Sequence, residues 1–468
     1  MKNEKKTAGE LLADKLLSNH KHAGLLLEDE EIAKASEFCE DYKAFLDTAK
    51  TEREAVTEAV RLAKAAGFKE FERGKKYKAG DKFYFVNREK AIILGVMGKL
   101  PLDKGIRLAA AHIDSPRMDL KQNPLYEEQE FALFKTHYYG GIKKYQWTAI
   151  PLSLHGVIVK NSGEKVTVNI GEDENDPVFC VTDLLPHLAQ QQMKRPAAEI
   201  VKGEELNILV GSMPFKDDKV SKKVKLNIMS ILNEKYGIVE DDFMSAELEV
   251  VPQFKAKDIG FDRSMVGAYG QDDRSCAYTA LRSILDIKKP QHTCLTCLTD
   301  KEETGSDGNT GLNSSYLPYF IDDLAKVYGF EGHNVISASE CLSADVNSAV
   351  DPTFQDVTEN RNASKLNYGV VATKFTGARG KSGTSDASAE FVGRVRKLFD
   401  ENNIIWQTGE LGKVDLGGGG TVAQFIANLD MEVIDLGVPV LCMHAPFEVT
   451  AKIDIYMAYK AFSVFFAD

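Results

Sequence analysis

The sequence lacks the features that most readily declare a function. Its seven cysteines are an odd number scattered over 468 residues, and they make no disulfide framework. Cys294 and Cys297 form a CxxC, but no second pair completes a zinc ribbon. Residues three apart on a strand point to opposite faces, so two buried strand thiols are expected there. No segment resembles a signal peptide or an 18-residue apolar span; a membrane-spanning helix is not expected, and a cytoplasmic location is. Positive charge is not in excess: 58 Lys and Arg against 70 Asp and Glu leave a net charge of −12. That balance argues against general nucleic-acid binding. There is no internal repeat, no low-complexity tract and no G-x-S-x-G elbow of a serine hydrolase. The run "GARGKS" is no phosphate loop, because the first glycine of GxxxxGK[ST] would have to stand where Phe375 does.

What is present is a globular composition, 43% hydrophobic and 27% charged, in a chain too long for one ordinary core. The first 70 residues carry helical spacing, as in "TEREAVTEAVRLAKAAGF". Strands follow in "KFYFVN", "KAIILGVMG" and "IRLAAAHID", the last almost continuously apolar and so predicted to be covered on both faces. From about Asp119 the pattern turns to alternating strands, "LSLHGVIVK", "KVTVNIGE" and "AELEVVPQF". From about Ala256 helix and strand alternate again, with strands read at "HTCLTCLTD", "HNVISASE", "IIWQTGE" and "EVIDLG". Such alternation predicts an α/β fold with a doubly wound sheet. Residues 1–118 and 256–468 would form one discontinuous domain, with a β-rich domain inserted at 119–255.

In open α/β sheets functional residues gather at the carboxyl ends of strands. His112 and Asp114, two apart in an extended segment, share a face there; an imidazole so placed can bind a metal while a carboxylate holds its other nitrogen. "CLTDKEETG" sets two adjacent glutamates, Glu302 and Glu303, where a strand should end. Asp345 lies in a small-residue loop. His444 closes the strand "VPVLCM" just before a helical tail, and Asp272 and Asp273 occupy a Gly-rich turn entering a helix, where either could serve only as an N-cap. Two His, two Asp and a Glu pair suit a hydrolase with two metal ions. One glutamate can then ligate while its neighbour takes a proton from the attacking water.

Five motifs in order, "AAHIDSPRMDLK", "GQDDRS", "DKEETGS", "SADVNSAVDP" and "MHAPFEVTAK", resemble those of the M18 family of metalloaminopeptidases, which includes the aspartyl aminopeptidases. The likeness covers essentially the whole chain, inserted domain included. It implies a dinuclear metallopeptidase fold and removal of N-terminal residues from peptides. It also implies two divalent ions per subunit, zinc foremost, with cobalt or manganese compatible with the same ligands. By this likeness His112 and Asp345 hold one ion, Glu303 and His444 the other, and Asp272 bridges them. Glu302 would be the general base, Asp114 would orient His112, and Asp273 would be a helix-start residue. "LLPHLAQQQ" is similar to a family segment whose histidine enters a neighbouring subunit's site, which implies that role for His187. Dimers formed through the inserted domain would assemble into a tetrahedral dodecamer. Lys374, Arg379 and Lys381 fall where the family builds its substrate pocket, as do Gly418 and Gly419 within a glycine run that lets backbone approach a ligand. Gly380-Lys381 replaces an aromatic of the eukaryotic aspartyl enzymes, so acidic and neutral N-terminal residues both stay open. A carboxypeptidase or amide deacylase of the same site plan, and an inactive shell protein, are the rival readings.

Overall fold

A computed structural model of the chain describes residues 6–468. The largest of three sheets has nine strands. In spatial order they are Lys69–Glu70, Lys82–Asn87, Ala91–Val96, Thr293–Thr299, Ile106–His112, Glu340–Ser343, Glu432–Gly437, Val370–Thr373 and Trp406–Thr408. Four neighbours at its centre, from Thr293–Thr299 to Glu432–Gly437, run parallel, and antiparallel pairs flank them. Ile106–His112 is buried at every position, as a central strand between two layers of helices must be. Its side chains alternate between two cores. Ala109 and Ala111 pack with the Gln271–Asp286 and Lys452–Ala467 helices, Leu108 and Ala110 with Tyr316–Lys326. Cys294 and Cys297 divide in the same way, one thiol to each core. The fold is α/β, with a mixed sheet covered on both faces.

Two local readings are corrected. "HNVIS" is not a strand: Gly332–Ser337 forms a short helix, and the strand starts only at Glu340. Val335 and Ile336 are buried in the core either way, and so short an apolar run has no period to decide between helix and strand. Nor does His444 lead straight into the C-terminal helix. A strand, Glu448–Ala451, intervenes and pairs antiparallel with Pro439–Leu441.

That hairpin belongs to a five-stranded sheet that matters for the site. Glu448–Ala451 pairs on its other side with Met265–Ala268, which runs directly toward Asp272. The loop bearing His444 is therefore tied to the segment bearing Asp272. The remaining sheet has seven antiparallel strands between residues 117 and 252. Its strand Arg117–Glu128 begins three residues after Asp114, so the junction read at 118/119 falls within a strand and involves no linker.

A buried polar cluster joins this sheet to the segment that begins the Glu52–Ala65 helix. His155 lies with Nδ1 2.7 Å from Glu54 Oε1, and with Nε2 3.0 Å from Ser153 Oγ and 3.2 Å from Glu172 Oε1. Lys50 donates to Glu172 at 2.8 Å and to the Pro252 carbonyl at 2.9 Å, and Lys255 donates to Glu172 at 3.0 Å. Glu54 also closes the capping box with Thr51 at the start of the Glu52–Ala65 helix. Burial opposes charge on both His155 and Glu172, but their mutual contact prevails. The His155 imidazole is held above its ordinary value and the Glu172 carboxyl well below.

Candidate metal centre

The carboxyl ends of the central strands and the small sheet converge on Asp272. Gly270 turns the chain from strand into helix with a left-handed backbone, φ 70. A Cβ there would lie 2.3 Å from Arg274 Nη2, so only glycine fits. Asp272, next but one, is held by its own backbone: its N–H donates to Glu448 Oε2 at 3.0 Å, and its carbonyl accepts from Ser115 Oγ at 2.7 Å. The carboxylate then faces two histidines. Oδ1 is 3.1 Å from His112 Nε2 and Oδ2 is 3.1 Å from His444 Nε2.

The far nitrogens of both rings are anchored. His112 Nδ1 lies 3.0 Å from the Asp114 carbonyl, and His444 Nδ1 lies 2.8 Å from the Gly141 carbonyl. A carbonyl only accepts, so each Nδ1 carries a proton and each Nε2 is turned toward Asp272. Against burial, contact with Asp114 and Asp272 raises the His112 imidazole, and contact with Asp272 raises that of His444 to about 10. Each Nε2 meets its Asp272 oxygen across either a second ring proton or a bound cation.

The paired glutamates are fixed from beneath. Asp114, fully buried, accepts from the N–H of Glu302 at 3.1 Å, the N–H of Glu303 at 3.2 Å and the Tyr139 hydroxyl at 2.8 Å. One carboxylate thus sets both the His112 ring and the turn that carries two like charges. Glu303 Oε1 is 3.6 Å from His444 Nε2, and Glu302 Oε2 is 3.9 Å from His112 Nε2. The Glu303 side chain is 3% exposed and that of Glu302 18%, so Glu302 is the more open of the two, though both border the adjoining cavity.

Ligating atoms of His112, Asp273 and Asp345 lie within 4.8 Å of one another, as do those of Asp272, Glu303 and His444, and those of His112, Glu302 and Glu303. Asp273 is therefore more than the helix-start residue its position suggested. Its φ/ψ is not helical, it is wholly buried, and neither carboxylate oxygen has a hydrogen-bond partner. Glu303 Oε1 is a third orphan. Burial raises the Glu302 carboxyl to about 7, with Asp114 and Asp272 adding to the rise, and it raises Glu303, Asp273 and Asp345 well above the usual range. Carboxylates crowd together here with only two imidazoles to balance them. Nitrogen and oxygen donors, two imidazoles converging on a shared carboxylate and orphaned oxygens fit bound zinc. Bound cations would also lower those carboxyl values.

A cavity of about 400 Å³ opens over this cluster. Gly418 and Gly419 line it, and Leu411, Phe425, Met443 and Val346 supply its apolar wall. Gly418 is required for a different close approach than a ligand's: its Cβ would fall 2.0 Å from the Gly377 carbonyl oxygen. The three predicted cations are not on this wall. Lys374 and Lys381 both pair with Asp386, whose carboxylate they hold below its ordinary value. Arg379 borders a separate, smaller recess beside Glu410. These side chains do not present free positive charge to the main cavity. The segment "LLPHLAQQQ" is mostly turn and coil, and His187 projects into solvent together with Leu184, Leu185 and Leu188.

Sequence reasoning missed Tyr139, Gly141 and Glu448. The first two lie at and just after the end of strand Phe131–Tyr139 of the seven-stranded sheet and reach the site only through tertiary structure. Glu448 stood in a quoted motif, four residues after His444, but nothing in the spacing marked it as polar and buried.

The family model for aminopeptidase I zinc metalloproteases (M18) matches residues 45–466. A probable M18 family aminopeptidase 1 of Clostridium acetobutylicum is 49% identical, over 96% of this chain and 98% of that one. The crystal structure of an M18-family aminopeptidase from Thermotoga maritima superposes with a TM-score of 0.92 at 45% identity, over 96% of this chain and 99% of that one. The fold is also shared, at 20% identity and a TM-score of 0.74, with the S. cerevisiae mApe1 dodecamer, over 92% of this chain and 96% of that one.

Proposed function

The chain belongs to the M18 family of zinc metalloaminopeptidases, and on that premise we propose that it works with two zinc ions and prefers peptides whose N-terminal residue is neutral and apolar. The observation that carries the two-ion reading is Asp272, each of whose carboxylate oxygens lies 3.1 Å from the Nε2 of a different histidine. His112 and Asp345 would hold one ion, Glu303 and His444 the other, with Asp272 between them; Asp273, beside His112 and Asp345, is the added carboxylate of the first position. Zinc bound there supplies Lewis-acid polarisation of the scissile carbonyl and activation of water.

The chain's own residues do the rest. Glu302, the more open of the two glutamates, accepts the proton of the attacking water as its oxygen bonds to the carbonyl carbon. It returns that proton to the leaving nitrogen as the C–N bond breaks. Asp114 holds the Glu302 and Glu303 N–H groups and so fixes the base relative to the ligands. The apolar cavity wall supports a neutral side chain at the substrate N-terminus, because Lys374 and Lys381 are engaged with Asp386.

The domain of residues 119–255 is read as the dimerisation domain, and the exposed Leu184, Leu185 and Leu188 around His187 suit burial by a second subunit, whose site His187 would complete. Assembly to a dodecamer follows the related yeast fold. A cytoplasmic home accords with seven unpaired thiols; among the described residues no helix is long and apolar enough to cross a membrane.

Elemental analysis of wild-type and Asp272→Asn protein, alongside hydrolysis of leucyl and aspartyl chromogenic substrates, tests this reading. Two zinc ions per wild-type chain, both depleted by the substitution, and a leucyl preference are expected. A single ion per fully active chain would overturn it.

A further inference from the structure

Glu448 has no role in the scheme above, yet it touches both halves of the centre. It lies on Glu448–Ala451, in register with Ala268 of the neighbouring strand, and is 1% exposed. Oε2 accepts the Asp272 N–H at 3.0 Å, and Oε1 accepts the His444 N–H at 2.7 Å. Among the described residues no Lys, Arg or His side chain lies within ion-pairing reach of it, since its two side-chain contacts are both backbone amides. A buried anion held only by amides is costly unless a compensating charge lies close by, and the nearest place for one is the cluster that Asp272 and His444 share.

Gln271 fixes the strand on which this carboxylate stands. Its side-chain amide donates to the Glu448 carbonyl at 2.7 Å and to the Val266 carbonyl at 3.1 Å, and its oxygen accepts from Tyr42 at 3.2 Å. The two segments clipped by Glu448 are not equally secured elsewhere. The Asp272 backbone is also held at its carbonyl by Ser115, whereas the His444 loop, held at its ring by Gly141 and closed by the Ala445 N–H on the Cys442 carbonyl, turns through left-handed backbone at Cys442 and His444, φ 59 and 64. That conformation is unfavourable for residues other than glycine and persists only when neighbours impose it.

We propose that Glu448 is a positioning residue that holds the His444 loop against Asp272, and that it thereby sets the affinity of the His444 zinc position selectively over that of the His112 position. This rests on the two-ion reading given above. The carboxylate spans two amides with two oxygens, and neither an amide nor a shorter acid can do so.

Zinc affinities of the metal-free protein, measured in competition with a chelating dye, test the proposal, with thermal melting of the same metal-free samples alongside. Wild type should show two binding steps. Glu448→Gln keeps one acceptor and turns an NH2 toward the other N–H. It should weaken one step by roughly 10–100-fold, the scale for losing a partner of a metal ligand, and leave the other within about threefold. Glu448→Asp, which keeps the charge but not the reach, should weaken the same step by less, and it serves as well if the glutamine variant does not fold. In His444→Ala, adding Glu448→Gln should leave the surviving step unchanged. Equal weakening of both steps, or a lower melting temperature with both affinities intact, would overturn the positioning role and leave the two-ion reading standing. One step in wild type would overturn that reading and this proposal with it.

Discussion

His155 and His112 are both buried beside carboxylates, yet their surroundings differ in kind. Around His155 each charge meets its opposite: Glu54 and Glu172 face the imidazole, Lys50 and Lys255 complete Glu172, and neither ring nitrogen lacks a partner. Around His112, among the described residues, three carboxylate oxygens are left orphaned, on Glu303 and Asp273, and two imidazoles face one carboxylate. A satisfied cluster joins the seven-stranded sheet to the start of the Glu52–Ala65 helix and needs nothing further. The unsatisfied one costs folding free energy that protonation or a bound cation must offset. Histidine-carboxylate contacts therefore mark a metal centre only where the accounting of donors and acceptors fails to close.

The sharpest way to break this contrast is to remove the shared carboxylate. Asp272→Asn should deplete zinc at both positions and lower turnover by more than the roughly 10²–10⁴ expected of Glu302→Gln, a change that removes a general base alone. Glu302→Gln should keep the wild-type zinc content, which elemental analysis reads directly. Equal zinc loss in both variants would erase the distinction between base and ligand. Altering the satisfied cluster should have the opposite signature. Glu172→Gln leaves Lys50 buried without its counter-ion, and should cost about 3 kcal/mol in denaturant unfolding, with zinc content and turnover per folded molecule unchanged.

The same cluster carries a pH signature. His155 titrates above its ordinary 6.5 in the folded chain, so its contribution is complete below 6.5 and is lost as pH rises through the folded value. Glu172 is depressed from 4.5, so its contribution is present above 4.5 and is lost as pH falls through its folded value. Wild type should exceed His155→Gln in melting temperature most between those limits, and the gap should close on the alkaline side. A gap that widened with rising pH would mean that His155 is neutral in the fold. The smallest effect belongs to the exposed loop. Lys381→Ala should shift the ratio of aspartyl to leucyl hydrolysis by less than about 1 kcal/mol, because its ammonium is engaged in a solvent-exposed ion pair.

How far the sequence announces these features depends on the range of the interaction that makes them. His112, Glu302 and Glu303 were legible because each follows a continuous apolar strand, and the end of such a strand in an α/β sheet is a place, not only a pattern. The alternation of helix and strand likewise placed the central sheet, and it failed at "HNVIS", where two apolar residues, Val335 and Ile336, fit either period. Lys374 and Lys381 read as free cations because Asp386 reaches them only through the folding of one loop. Gly418 was noticed for the right reason, close backbone approach, but the backbone approached is Gly377. Tyr139 and Gly141 could not be found from spacing at all, since a hydroxyl and a carbonyl on another sheet leave no local trace.

An insertion is commonly regarded as a module that a chain could shed. Here the second sheet begins three residues after Asp114, and its strand Phe131–Tyr139 returns to deliver the Tyr139 hydroxyl to that carboxylate and the Gly141 carbonyl to His444. Replacing 117–252 with a short loop would keep every residue read here as a ligand, base or bridge. It would also remove the acceptor that fixes the protonated nitrogen of His444 and the donor that braces Asp114. A minimal enzyme cut from this chain should hold zinc weakly, and engineering that swaps such insertions between relatives must carry the two contacts across the seam.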